Sequence, residues 1–106
     1  MRWLGTLLAG SMLALATTLD AQAASHGYRP ANGFVPDSMT AVRIAEAIWT
    51  PIYSAKQIRN ERPYRAVLHR GVWTVTGTLP PSTAGGVALA EIAQLDGRIL
   101  RVSHGR

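Results

Sequence analysis

At Pro63 the hydrophobic pattern changes period, and this switch restricts the fold more than any other feature of the chain. Upstream, in "DSMTAVRIAEAIWTPIYSAKQI", Ala41, Ile44, Ala45, Ile48 and Ile52 recur at spacings of three and four. Such spacing gathers apolar groups into one stripe of a helix. Downstream, "YRAVLHR" alternates Tyr64, Ala66 and Leu68 with Arg65, Val67 and His69, the period-two pattern of a half-buried strand. A helix with one apolar stripe and a sheet with one apolar face each need a cover, and packing one on the other satisfies both.

Local signals fill in the elements. Asp37 or Ser38 supplies an oxygen that can accept an orphan N–H at a helix start. Pro51 cannot donate to Ala47, so the helix is expected to end or kink near Trp49 and Thr50, with Thr50 capping a second short turn. Residues 59–62, "RNER", read as a polar connector. Arg70-Gly71 forms a tight turn between "YRAVLHR" and "VWTVTGTL", and Gly77 signals a bulge or a close backbone approach. "PPSTAGG" (80–86) is too long for a tight hairpin. "VALAEIAQL" has helical propensity in its Ala, Leu and Glu. The Asp96-Gly97 turn signal and the following "RILRVSHG" make it a strand instead. The reading is α+β: one N-terminal helix, kinked near Pro51, on a four-stranded antiparallel meander at residues 37–106.

The N-terminal stretch "MRWLGTLLAGSMLALATTLDAQAA" reads as a leader. Arg2 is its positive head, Trp3 to Ala16 an apolar run, and Ala21-Gln22-Ala23 a small-x-small cleavage pattern. The run is shorter than the ~20 residues that span a bilayer. Residues 1–23 are therefore expected to be a cleaved signal peptide, which implies a periplasmic or secreted product with no membrane span. Residues 24–36, "ASHGYRPANGFVP", have no period and read as a loose arm, with Phe34 and Val35 able to staple the helix.

Composition then limits the chemistry. There are no cysteines, so neither disulfides nor thiolate metal sites are available. Arg2 and Asp20 cancel, so loss of the leader keeps the net charge at +5. The basic residues are scattered arginines rather than a cluster, and export argues against a nucleic-acid partner. His26, His69 and His104 show no HxH or HxxxH spacing, so no metal is expected. Ser82, Thr83 and Ser103 lack a nucleophile-elbow context. Asp37 reads as a cap, Asp96 as a turn residue, and Glu46 and Glu61 as solvated. Glu91 on a strand reads as a sheet-face charge paired with Arg101 or Arg98. No carboxylate reads as buried. No catalytic set and no cofactor site follow, and the chain reads as non-enzymatic.

The aromatic residues Trp49, Tyr53, Tyr64 and Trp73 are core anchors on the plainest reading. An exposed Trp/Arg surface would instead have the composition of a protein-binding hot spot. The candidate patch is Trp73 with Arg65, His69, Arg101 and Glu91, provided register brings them together. A small-ligand site on the concave sheet, near Trp49 and Trp73, is the alternative. The free sheet edges leave the oligomeric state open.

Three blocks appear in order: "GFVPDSMTAVRIAEAIWTPIYS", "RPYRAVLHRGVWTVTGTLP" and "GGVALAEIAQLDGRILRVSHGR". Together they resemble the bacterial immunity proteins of the nuclear-transport-factor-two fold, over residues 33–106. The resemblance implies a cystatin-like cone of helix against curved sheet. It also implies a protein partner, a toxin to be neutralised. Ser54 stands where that pattern often has glycine after "PIY".

Overall fold

A computed structural model describes residues 27–105. The leader assigned to residues 1–23, and His26, lie outside this range. The order is α1 (Ser38–Tyr53), α2 (Ala55–Asn60), β1 (Arg65–His69), β2 (Val72–Thr76), β3 (Ala88–Ala93) and β4 (Ile99–His104). The strands form one antiparallel sheet in the order β1-β2-β3-β4, the expected meander. Among the described residues no helix is long and apolar enough to cross a membrane.

Asp37 is the N-cap of α1. Its carboxylate accepts from the Thr40 amide at 2.8 Å and from the Thr40 hydroxyl at 2.7 Å, and these bonds hold its pKa below the ordinary value. The buried line of α1 is Ala41, Ala45 and Trp49, spaced i, i+4, i+8. This differs from the expected stripe: Ile44 flanks the core, while Ile52 is 57 % exposed. Two alanines let the helix approach the sheet closely, and Trp49 fills the space at the far end.

The expected break near Trp49 and Thr50 falls later. The helix runs through Pro51 to Tyr53. Proline removes only the bond to Ala47, and the Ser54 amide still reaches the Thr50 carbonyl at 3.0 Å. The break comes at Ser54, with φ 83° and ψ 150°, a region that only glycine enters freely. Ser54 then caps α2, its hydroxyl accepting from the Gln57 amide at 3.3 Å. Ser54→Gly relieves the backbone and loses a weak cap. It should stabilise the domain by about 1 kcal/mol and raise the melting temperature by ~4–8 °C. A lower melting temperature by circular dichroism would contradict this account.

The arm is held from Gly33 onward, with its backbone bonds going to the 94–98 loop. Phe34 and Val35 donate their amides to the Leu95 and Gln94 carbonyls at 2.9 and 3.0 Å. The Trp73 indole donates to the Val35 carbonyl at 2.7 Å. Gly33 has φ +79°, and a Cβ there would lie 2.4 Å from the Gln94 carbonyl oxygen, so only glycine fits. Val35 is buried in the cluster that holds Ala41 and Ala45, while Phe34 is exposed.

The β1–β2 turn is the two-residue Arg70-Gly71, with φ 49° and 74°, the pairing that matches strand twist. The Asp96-Gly97 signal does mark a hairpin, but its loop spans residues 94–98. Gly97 donates to the Ala93 carbonyl and Ala93 to the Arg98 carbonyl, both at 2.9 Å. Asp96 accepts from the Arg98 amide at 3.0 Å. In β4, Leu100 is an extra residue, since Ile92 faces Ile99 while Glu91 faces Arg101.

The core joins Ala41, Ala45 and Trp49 of α1 with Ile58 of α2 and Trp73, Val75, Ala90 and Ile92 of the sheet. The helices cover one sheet face. Among the described residues the other face has no covering element.

Candidate functional site

Two places carry more polar chemistry than the fold requires. The first is the open sheet face. Residues paired across strands share a face. Val67 pairs with Thr74, Thr74 with Glu91, and Glu91 with Arg101, so these four form one row across all strands. At ~4.8 Å per strand spacing the row is ~14 Å wide. Arg65 and His69 lie two residues either side of Val67 on the same face of β1. Arg65, His69 and Arg101 are exposed, as is half of Val67. Glu91 meets Arg101 at 3.8 Å, the cross-strand pairing the sequence suggests; such a half-exposed pair adds little stability.

Register therefore brings Arg65, His69, Glu91 and Arg101 to one face and places Trp73 on the other. Trp73 pairs with Leu68 and Ile92 and is 7 % exposed, so it belongs to the core and not to the patch. A ligand site beside Trp49 and Trp73 has no room either, because both indoles are packed and their N–H groups already donate to the Leu89 and Val35 carbonyls.

The second place is one that sequence reasoning missed. Glu61, read as a solvated connector residue, is 5 % exposed. Its Oε1 accepts from the Ala88 amide at 2.7 Å. Its Oε2 lies 3.0 Å from His104 Nε2 and accepts from Gln57 Nε2 at 3.4 Å. Its backbone carbonyl accepts from the Thr78 amide at 2.7 Å. One residue thus ties α2 to the exit of β2, the start of β3 and the end of β4. Tyr53 adds a tilted ring contact to His104, with centroids 5.1 Å apart.

Room for this carboxylate comes from Gly77, where a Cβ would lie 2.7 Å from Glu61 Oε1. This is the close approach that the glycine signalled. The sequence therefore marked where something comes near β2, without saying what. Beside Glu61 and His104 opens a cavity of about 380 Å³, bounded by α2 and the 79–86 loop.

Tyr64 borders the same region. Its hydroxyl donates to the Ile58 carbonyl at 2.6 Å. Burial first, and the Glu61 charge second, push its pKa up to about 12 from the ordinary 10.0. The fold thus favours the neutral phenol, so its contribution to stability is complete below pH 10.0 and declines as pH rises toward about 12. In a tyrosinate absorbance titration, Tyr64→Phe should delete the highest-pH step. A variant trace that keeps that step would rule out the assignment.

Glu46 is held by Arg62, whose Nε and Nη2 donate to Oε2 at 3.1 and 2.5 Å. Among the described residues no group of three or more His, Asp or Glu is placed to hold a metal ion.

A protein of Escherichia coli strain K12 described as uncharacterized, YhhH, is 32 % identical over 83 residues. The match covers 77 % of this chain and 65 % of that protein, so the chain spans just under two thirds of the relative's length. No solved structure matches. A family model described as NTF2 fold immunity protein matches residues 40–106. That segment contains all four strands, Glu61, His104 and nearly all of α1, and the chain belongs to the NTF2 fold immunity protein family.

Proposed function

We propose that the protein is a non-enzymatic protein-binding module of the bacterial envelope, exported by its N-terminal leader, that neutralises a toxin by occluding it. The observation that carries this reading is the open sheet face. In a family of immunity proteins, a rigid four-stranded surface that no other element covers among the described residues presents Arg65, Val67, His69 and Arg101 together. Arginine beside an exposed aliphatic group suits a contact surface. Occlusion needs a fixed shape and no reacting group. The sheet supplies the shape, since its inner face is locked to α1 by fully buried side chains.

The test is capture in the native host. The chain carries a C-terminal tag, the periplasm is crosslinked, and eluted proteins are identified by mass spectrometry. The expected result is one stoichiometric protein partner. The double substitution Arg65→Glu, Arg101→Glu should weaken its binding by at least about tenfold with an unchanged melting curve. Capture unaffected by the double substitution would move the contact off this face. No protein partner at micromolar concentration would remove the reading.

A further inference from the structure

The cavity beside Glu61 shares no residue with the open-face row, and partner binding on that face does not account for it. We infer that it is a binding site for a small organic cation, an alkylammonium or alkylguanidinium group.

The argument starts from the walls. Gln57, Asn60 and Glu61 lie at spacings of three and four, so they project from one side of the α2 end. His104 closes the site from β4, and Thr83 with the glycine pair 85–86 faces it from the loop. Among the described residues of the lining, Glu61 is the acidic one, in a chain of net charge +5, and His104 is its neighbour. An anionic ligand would meet that carboxylate directly, and a neutral one would gain nothing from its charge. A cation compensates it in surroundings where the interaction is poorly screened.

The acceptor count agrees. A carboxylate offers about four acceptor positions. Ala88, His104 and Gln57 occupy three, so capacity remains for a ligand donor. The Asn60 amide oxygen and the Thr83 hydroxyl can take further donors, of which an ammonium has three and a guanidinium five. Gly85 and Gly86 carry no side chains, so loop carbonyls can come close to a ligand. Leu79, Pro80 and Ala84 supply an apolar wall for a short alkyl chain. About 380 Å³ falls within the range of small-molecule sites.

Agmatine, which carries both head groups, is the probe, and sodium acetate the anionic control. Amide and imidazole resonances of the purified chain are followed by NMR. Agmatine should give saturable shifts at Gln57, Gly85, Gly86 and His104, and acetate none. Glu61→Gln keeps an acceptor for Ala88 and a group of the same shape while removing the charge. It should weaken agmatine at least about tenfold. Ala84→Phe fills the cavity from an exposed loop position without touching the Glu61 bonds, and it should abolish the shifts even if Glu61→Gln does not fold. Absence of saturable shifts at about 10 mM agmatine, equal affinity in Glu61→Gln, full binding in Ala84→Phe, or an equal response to acetate would each overturn the assignment.

Discussion

Trp49→Ala is expected to lower the unfolding free energy by about 3–5 kcal/mol. In a domain of this size that corresponds to a fall in melting temperature of more than ~12 °C. Trp49 is 0 % exposed. Its ring lies 4.9 Å from that of Tyr64, centroid to centroid, and its indole donates to the Leu89 carbonyl at 3.3 Å. Truncation opens a cavity between α1 and the sheet and removes that donor together. Neighbours cannot collapse into the space, since Ala41 and Ala45 are too short to reach it. Trp49→Phe keeps most of the packing and loses only the N–H, so it should cost about 1 kcal/mol. Urea denaturation distinguishes them: the midpoint for Trp49→Ala should drop far more than that for Trp49→Phe, at similar slope. A loss below about 1 kcal/mol for the alanine variant would mean that Trp49 does not anchor the core.

Glu61→Ala should be nearly as damaging although it removes a charged residue from a segment that reads as connector. The Ala88 amide, at the start of a buried strand, would lose its acceptor, and His104 would lose its carboxylate partner. A buried donor left unpaired costs about 1–3 kcal/mol, and bonds to charged groups are at the upper end, so a loss of about 3 kcal/mol is expected. Glu61→Gln retains an oxygen for Ala88 and should cost about 1 kcal/mol. Amide exchange locates the effect. In Glu61→Ala the Ala88 amide should exchange much faster, while Trp73 and Val75 change only with global stability. Equal exchange at Ala88 in both variants would show that the carboxylate does not hold this strand.

What the sequence makes legible is local, and what it hides is set by distant partners. The period switch at Pro63 gives the two layers, and the Arg70-Gly71 turn gives the first hairpin. That turn, carried one step further, sets Leu68 against Trp73 and so separates Trp73 from Arg65 and His69; the patch assignment needed register as well as composition. The centre of the α1 stripe is harder to see. Ile52 and Trp49 are both apolar, and it is the line Ala41, Ala45 and Trp49, at a spacing of four, that meets the sheet and leaves Ile52 exposed. Ser54 itself was marked by the glycine of the family pattern, and its backbone angles explain the preference. Glu61 is least visible, because "RNER" is polar throughout. Its burial depends on Ala88 and His104, which stand 27 and 43 positions away. Gly77 is the one local trace of it.

Each strand of this sheet bonds only to its neighbours in the chain. That arrangement bears on how quickly the molecule becomes usable. Hairpins whose partners are a few residues apart close within microseconds, and short-range pairing generally speeds folding. The slow element should be α1, whose stripe has no complete surface to rest on until β2 and β3 have paired. During folding, Ala41, Ala45 and Trp49 thus find shelter late, together with the sheet residues Val75, Ala90 and Ile92 that they cover. They form the segment a holding chaperone would grip. For a protein proposed to shield its cell from a toxin, the interval before Trp49 docks sets how soon protection begins.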